Sequence, residues 1–349
     1  MTDQFANGDP THYAHKSEEP KRGTVTGALA LGADPPVRMG PVLVLDKLRD
    51  LDLDAPPSPG RKAHLSAASG LVKRGDYLLI SPDDENHLGI FAAVGNEPGA
   101  LLRVFPGDLP GAHDARKAAK PDLEALAFLD PVVSESPHGA VLAFGSGSTE
   151  QRQRGALVPL AADGRPTGEV TIIDLSPLYR ALAKRFGELN IEGAAASGDK
   201  LRLLQRGNGA KGVNAIIDLD LAGVGGALRR GRSLTDLLIG NTRIVELGEV
   251  AGVPLSFTDA TPLPDGRIVF AASAEASQNT YEDGEVVGSA VGILDAKGHV
   301  ERLHPLSQTV KVEGVDASLT ANGDIDLLLV TDGDDPSRPG ELFAARLST

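Results

Sequence analysis

The sequence predicts an all-β fold, a β-propeller, on three observations. First, a motif in which an apolar strand carries an acidic residue recurs along the chain, once in a degenerate form, at intervals of about 55 to 68 residues. Second, further strand-like segments follow each copy, and four short strands per repeat are typical of a propeller blade. Third, the chain has 41 glycines and 24 prolines but few helical patterns, as expected for many turns between short strands.

The strands of each repeat can be placed from this pattern. First strands are predicted at 65–68, 123–127, 191–195, 258–261 and 312–316. Second strands are predicted within 76–86, 140–148, 200–208, 267–275 and 324–335. Third strands are predicted at 88–94, 155–160, 214–221, 289–296 and 341–347, and fourth strands at 100–105, 169–175, 242–250 and 300–306. The fifth copy lacks a fourth strand, so we expect an N-terminal strand, at 41–46 or 47–53, to complete it and close the ring.

Five blades are favoured, and six remain an alternative because the strand-like segment 24–31 has no assigned place. An unrelated α+β fold with chance similarities is the competing interpretation. Residues 1–22 are polar and are predicted to be a disordered tail, followed by a single propeller domain over 23–349. Two segments, 175–189 and 222–240, are predicted to contain helices that decorate the blades.

Composition excludes several classes of function. There is no cysteine, which excludes disulfides, thiolate metal sites and cysteine nucleophiles. The formal net charge of −14 disfavours nucleic acid and anionic membranes as partners. Neither a long apolar run nor a signal peptide is present, which favours a cytoplasmic location. A small-molecule ligand is compatible with these limits, and no protein partner is indicated.

Four acidic residues in the predicted first strands form the main candidate site. Because the first strand of each blade lines the central channel, Glu124, Glu192, Asp259 and Glu313 are expected to approach one another as an acidic ring. Such a ring needs compensation, since like charges raise one another's pKa. A hard divalent cation such as Ca²⁺ or Mg²⁺, nearby basic side chains, or backbone N–H donors could each supply it. The first repeat departs from the pattern, with Ser66 at the acidic position.

Polar loops after the second strands are expected to gather at one end of the ring, where loops on a rigid scaffold commonly carry function. Four basic residues of these loops are candidates for holding an anionic group of a substrate: Arg152, Arg154, Arg206 and Lys211. The segments SPDDEN and TDGDD resemble calcium-binding loops in composition but lack the EF-hand spacing.

Three stretches carry a family resemblance: RKAAKPDLEALAFL (116–129), NIEGAAASGDKLRLLQRGN (190–208), and KVEGVDAS with LLLVTDGDDP (311–336). They resemble uncharacterised bacterial β-propeller proteins that are distantly similar to the esterase-like domain of phytase. Related propellers include calcium-dependent phytases and metal-dependent lactonases, which bind a cation at the channel mouth. The resemblance therefore implies a cation held by the four acidic residues of the predicted ring.

Two functions of different classes follow. One is a divalent-cation-dependent hydrolase of phosphoesters, esters or lactones. The alternative is a non-catalytic binding or scaffold propeller whose channel carboxylates are structural. A carbohydrate-active propeller with two catalytic carboxylates is a third interpretation, disfavoured by the low aromatic content of 4%.

Overall fold

In a computed structural model of the chain, the described residues, 37–207, 212–276 and 284–348, form five sheets around a common axis. Each sheet is built on four antiparallel strands, with two short additional strands at the edges of one sheet, so the fold is a five-bladed β-propeller and the favoured blade number is confirmed. The described residues contain no sixth blade. The predicted tail (1–22), the segment 24–31 and Lys211 lie outside the described residues.

The strands are numbered in chain order. The first two are β1 (Arg38–Met39) and β2 (Asp46–Asp50). Blade 1 contains β3 (Ala68–Arg74), β4 (Tyr77–Pro82), β5 (His87–Ala92) and β6 (Ala100–Arg103). Blade 2 contains β7 (Leu123–Leu129), β8 (Ala140–Gly145), β9 (Arg154–Pro159) and β10 (Thr171–Asp174). Blade 3 contains β11 (Ile191–Ser197), β12 (Lys200–Gln205), β13 (Ala215–Asp220) and β14 (Ile239–Ile244).

The last two blades include the N-terminal strands. Blade 4 contains β15 (Glu249–Val250), β16 (Val253–Pro262), β17 (Ile268–Ala276), β18 (Glu285–Leu294) and β19 (Val300–Pro305), with β1 parallel to β19 at its edge. Blade 5 contains β20 (Val312–Leu319), β21 (Ile325–Thr331) and β22 (Glu341–Leu347). Strand β2 pairs antiparallel with β22 as the fourth strand of blade 5, so the predicted N-terminal closure of the ring is confirmed.

Within the described residues, four α-helices decorate the ring: α1 (His113–Ala119), α2 (Pro131–Ser134), α3 (Ser176–Phe186) and α4 (Leu221–Arg229). The two predicted helical segments are confirmed as α3 and α4, although the second ends earlier than expected. Asp220 caps α4 by accepting a hydrogen bond from the Gly223 N–H at 3.1 Å. The chain turns at Gly231, whose φ is +57°, and only a short 3₁₀ turn follows, at Asp236–Leu238.

The hydrophobic core consists of five clusters of buried residues, each joining two neighbouring blades. The cluster between blades 5 and 1, for example, packs Val330 and Leu342 against Leu71 and Leu78. Since every blade buries both faces against its neighbours, closing the ring with β2 protects apolar surface on both sides of blade 5.

Each first strand contains a β-bulge, which lies near the start of the strand in four blades and in the middle of β16 in blade 4. The pairing with the second strand skips one residue in every blade, namely Ser69, Glu124, Glu192, Thr258 and Glu313. A bulge turns the side chain of the extra residue away from the regular alternation of the strand. The five bulged residues are therefore equivalent positions around the channel.

This register corrects two sequence expectations. The position expected at Ser66 belongs to Ser69, and the position expected at Asp259 belongs to Thr258. The error of one residue in blade 4 matters because successive side chains of a strand point to opposite faces. Asp259 is therefore not equivalent to the three glutamates.

Three of the five residues that follow a bulge are glycines, Gly70, Gly193 and Gly314, and a Cβ atom at each would lie 3.0 Å or less from an atom of another strand. A Cβ atom on Gly314 would lie 2.4 Å from Val330 Cγ2 and 3.1 Å from Leu71 Cβ. A Cβ atom on Gly193 would lie 3.0 Å from the carbonyl carbon of Asp259. Asp259 occupies the same position in blade 4, and its carboxylate thus lies where first strands of different blades meet.

Further along β20, Asp316 lies buried at the end of the strand away from the bulge. Its Oδ2 accepts a hydrogen bond from the Lys73 N–H at 2.9 Å. Burial raises the pKa of Asp316 to about 6, although this bond and the charges of Arg74 and Lys73 oppose the shift. Ionising Asp316 in the folded protein therefore costs free energy.

We expect Asp316→Asn to make the protein more stable at neutral pH, by about 1 to 3 kcal/mol. Because the folded pKa exceeds the unfolded value, the stabilisation from neutral Asp316 is complete below about pH 4 and is lost as the pH rises to about 6. Chemical denaturation from pH 4 to 8 should show that the free energy of unfolding of Asp316→Asn increasingly exceeds that of the wild type across this pH range. Asp54→Asn, at an exposed carboxylate, is the matched control, and an equal response of both variants would contradict the prediction.

Candidate functional site

The bulges direct three glutamates, Glu124, Glu192 and Glu313, into a cavity of about 520 Å³ at one end of the channel. All three side chains are more than nine-tenths buried. The structure thus brings three of the four predicted acidic residues to one cavity, and their role as metal ligands stays a prediction. Asp259 is absent from the cavity lining and takes a different role.

The carboxylate of Asp259 ties the backbones of two other blades together. Its Oδ2 accepts hydrogen bonds from the Val315 N–H of blade 5 at 2.8 Å and from the Leu71 N–H of blade 1 at 3.3 Å. Burial raises the pKa of Asp259 well above its ordinary value, while the backbone donors oppose the shift. Accepting backbone N–H groups is one of the ways in which the channel acids were expected to be compensated. The predicted role of Asp259 as a metal ligand stays a prediction.

Arg206 neutralises the acids on one side of the cavity. Its Nη1 lies 3.3 Å from Glu192 Oε2 and 3.2 Å from Glu313 Oε1, and its Nη2 donates to Glu275. The residue is only 5% exposed, and it begins the loop that follows β12. One guanidinium thus joins carboxylates from blades 3, 4 and 5.

Lys311 has a similar role next to blade 5. Its Nζ lies 3.1 Å from Glu313 and 3.0 Å from Asp334, with Asp332 at 3.7 Å. Burial alone would lower the pKa of Lys311, but the surrounding carboxylates hold it well above its ordinary value. The lysine therefore stays charged and forms part of a buried ionic network.

A second network lies between blades 1 and 2. Lys120 Nζ contacts Asp83 and lies 2.8 Å from Asp122 Oδ1. The other oxygen of Asp122 accepts hydrogen bonds from Arg152 at 2.8 Å and from Ser146 at 2.5 Å. Burial would raise the pKa of Asp122, but Lys120 and Arg152 hold it below its ordinary value.

Glu124 differs from the other acids of the cavity. Within the described residues, no side chain or backbone group forms a hydrogen bond or ion pair with its carboxylate, and the residue is only 7% exposed. Burial, followed by repulsion from Glu192, Asp122 and Asp83, raises its pKa well above the ordinary value. One oxygen each of Glu124, Asp83 and Asp122 lie within 4.8 Å of one another.

Glu192 lies between the two networks. Asn190 donates to its Oε1 at 2.6 Å and Arg206 to its Oε2. Burial raises the pKa of Glu192 to about 8. The positive charge of Arg206 opposes this shift, and the negative charges of Glu313 and Asp122 add to it. The buried Glu192 thus has both a basic neighbour, Arg206, and acidic neighbours, Glu313 and Asp122.

Of the four basic residues predicted to hold a substrate, three are described, and the structure places two of them at the cavity. Arg152 and Arg206 line the cavity, but both are engaged with carboxylates. Arg154 lies in β9 outside the cavity lining, with its guanidinium 4.3 Å from the ring centroid of Phe105. Lys211 is not among the described residues, so a substrate-binding role stays a prediction for all four.

Asp122 was missed by the sequence interpretation. It stands two residues before the bulged Glu124, and the corresponding positions in blades 3 and 5 are Asn190 and Lys311. All three are polar and line the cavity. A polar residue two positions before each acidic residue was the signal that could have identified Asp122.

Comparison with known families decides the classification. A family profile described as "Family of unknown function (DUF6929)" matches residues 64–347, which include all five first strands. The chain belongs to this family. No curated protein sequence matches the chain. The expected likeness to the phytase group stays a prediction.

Distant likeness to other solved structures is confined to the fold. An α-L-arabinanase of Penicillium chrysogenum shares 9% identity, with 86% of this chain and 98% of the other covered and a TM-score of 0.43. The Pan2 WD40 domain of Neurospora crassa shares 11% identity, with 88% and 97% covered and a TM-score of 0.38. A luciferin-regenerating enzyme shares 14% identity, with 80% and 76% covered and a TM-score of 0.34. Likeness at this level says nothing about substrate or activity.

In the described part of the chain, every helix is too short or too polar to cross a bilayer. The cytoplasmic location expected from the sequence stays a prediction.

Proposed function

We propose that the cavity is a divalent-cation site and that the protein uses it to hydrolyse a small phosphoester, ester or lactone. The observation that supports this is Glu124, a carboxylate more than nine-tenths buried that faces the cavity with no hydrogen-bond or ion-pair partner among the described residues. Leaving a buried carboxylate without a partner is costly, so such a residue is retained where a ligand compensates it.

The charge of the cavity supports a cation as that ligand. Ten carboxylates line it, from Asp83, Asp84, Asp122, Glu124, Glu192, Glu275, Glu313, Asp332, Asp334 and Asp335. Eight basic side chains oppose them, from Arg61, Lys62, Arg116, Lys117, Lys120, Arg152, Arg206 and Lys311. Counted as formal charges over the described lining residues, carboxylates exceed basic side chains by two, which favours a cation over an anion in the cavity.

The oxygen atoms near Glu124 fit a hard cation. Both oxygens of Glu124 and one oxygen of Asp83 are available, and Ca²⁺ accepts carboxylate oxygens in flexible geometry. Lys120 competes, because its ammonium already bridges Asp83 and Asp122. A bound cation would polarise a phosphoryl or carbonyl oxygen of the substrate. The polar cavity walls would orient the substrate, and the hydroxyl of Ser148, which accepts a hydrogen bond from Arg152 at 2.9 Å, offers one such contact.

Thermal melts of chelated protein with added Ca²⁺, Mg²⁺ or Mn²⁺ test the cation site. Saturating binding to the native state should raise the melting temperature by roughly 5 °C. Glu124→Gln should abolish the rise, and Lys120→Met should enlarge it because the competing charge is gone. Asp335→Asn removes an equal charge from the cavity rim and should keep the rise. If no cation shifts the wild-type melt, or if Glu124→Gln responds like the wild type, the proposal fails.

Activity is tested separately with p-nitrophenyl phosphate, p-nitrophenyl acetate and a γ-lactone. We expect hydrolysis of at least one of them to be lost on chelation and restored by the cation that raises the melting temperature. Cation binding without hydrolysis of any substrate class would overturn the enzymatic part alone.

A non-catalytic binding or scaffold propeller is the second candidate, and the neutralisation of Glu192 and Glu313 by Arg206 and Lys311 favours it. These acids have partners without any ligand, as expected for structural groups. On this interpretation added cations leave the melting temperature unchanged.

A further inference from the structure

The helical layer on blades 2 and 3 carries a concentration of exposed basic residues. They lie on α3, at the end of α4 and in the turn after it: Arg180, Lys184, Arg185, Arg229, Arg230 and Arg232. All six are exposed, in a protein with a net charge of −14. We call this set the basic helical patch.

The two helices belong to one continuous surface. Both pack on the same buried cluster, through Tyr179 and Leu182 of α3 and Val224 and Leu228 of α4. The turn after α4 reaches the start of α3, where the Leu178 N–H donates to the Leu234 carbonyl at 3.2 Å. The turn that carries Arg230 and Arg232 therefore lies beside the first turns of α3, where Arg180 stands, and Lys184 and Arg185 follow at the other end of α3.

Most charges of the patch are not compensated within the described residues. The side chains of Lys184, Arg230 and Arg232 form no hydrogen bond or ion pair there, and the side chain of Arg180 has only a charge interaction with Asp174. Arg229 is paired with Glu135 at 3.3 Å and Arg185 donates to Thr242 at 3.2 Å. Solvated positive charges on one surface create a local potential that attracts an anionic partner, and this attraction is screened by salt because the side chains are exposed.

Two exposed apolar side chains flank the charges. Leu237, in the 3₁₀ turn against α3, is 90% exposed, and Val132 in α2 is 82% exposed. The Val132 carbonyl accepts a hydrogen bond from Arg229 at 3.4 Å, which places α2 beside the basic residues. Exposed apolar residues next to arginines are typical of protein-binding surfaces.

We propose that the basic helical patch docks a short acidic segment of a partner protein, with apolar residues of that segment on Leu237 and Val132. The size of the patch favours a short segment, since α3 spans about 16 Å. The strong negative charge of the rest of the molecule repels extended polyanions such as duplex DNA or an anionic bilayer.

Fluorescence anisotropy with a labelled peptide of about ten residues, rich in glutamate and containing two leucines, tests this proposal. We expect binding that weakens with added NaCl and that is absent for the peptide with glutamine in place of glutamate. Arg180→Glu/Arg230→Glu/Arg232→Glu should weaken binding by about tenfold or more, and the corresponding triple glutamine variant by less. Arg38→Glu/Lys73→Glu/Lys297→Glu, with an equal charge change at exposed sites on other blades, is the control.

A thermal melt of each variant verifies folding. The proposal is overturned if the wild type does not bind the acidic peptide, or if the control variant loses as much affinity as the patch variant. It is also overturned if a DNA duplex or phosphatidylserine vesicles bind more tightly than the peptide in a patch-dependent way.

Discussion

Replacement of Arg206 by methionine is expected to destabilise the propeller by about 3 to 5 kcal/mol. The guanidinium lies between Glu192, Glu275 and Glu313, and all four side chains are almost completely buried. Methionine fills a similar volume but leaves the three carboxylates without their shared cation. Breaking a buried ion pair by removing one partner is costly because the remaining charge stays desolvated.

Urea denaturation at pH 7 measures this loss. Arg346→Met is the matched control, because Arg346 pairs with Asp326 on the surface and its loss should cost less than about 1 kcal/mol. The double variant Arg206→Met/Glu192→Gln should recover part of the stability, since it removes one of the uncompensated charges. If Arg206→Met does not fold, Arg206→Lys keeps a single charge and should show a smaller loss. A cost for Arg206→Met no larger than for the control would show that the network is not stabilising.

Replacement of Asp259 by alanine is expected to cost about 2 to 4 kcal/mol, because two buried N–H groups, of Leu71 and Val315, lose their acceptor. Asp259→Asn keeps an oxygen at the same place and should stay within about 1 kcal/mol of the wild type. The two variants separate the structural role seen in the geometry from the ligand role expected from the sequence.

Thermal and urea denaturation of both variants, with and without Ca²⁺, measure the difference. Thr261→Ala, at a largely buried polar position in the same strand, is a control for general truncation. If asparagine is as damaging as alanine, or if either substitution removes a cation-dependent rise in melting temperature, the carboxylate charge of Asp259 is needed and the structural role alone is insufficient.

The strand order and ring closure followed from sequence because they depend on local patterns. Apolar strands such as 341–347 are bounded by turn residues, and the observed β22 has the same limits. The last repeat has no fourth strand of its own, so its third strand would expose unpaired backbone groups at an open edge. A strand from elsewhere in the chain was therefore expected to pair with it. The helix at 175–189 was also predictable from the spacing of Leu178, Leu182 and Phe186.

The composition of the site was less predictable. Sequence alignment of the repeats placed Asp259 with the three glutamates, but the bulge in blade 4 falls one residue earlier, at Thr258. A bulge depends on how two strands pair and not on the residue itself, so no local pattern distinguishes it. Asp122 was overlooked because it stands just before the predicted strand 123–127, although it lies within reach of Glu124 and Asp83.

The repeat period, the apolar strands and the turn residues are properties of neighbouring positions along the chain, and they predicted a propeller in which five blades were favoured over six. The pairing of charges joins residues far apart in sequence: Arg206 reaches Glu313 across 107 positions, and Asp259 holds the backbone of Leu71 across 188. Coulomb and hydrogen-bond energies depend on distances of a few ångströms and on burial, which exist only after the blades have closed. Only in the folded protein do Glu192 and Glu313 gain basic partners, while Glu124 faces the cavity without a partner among the described residues.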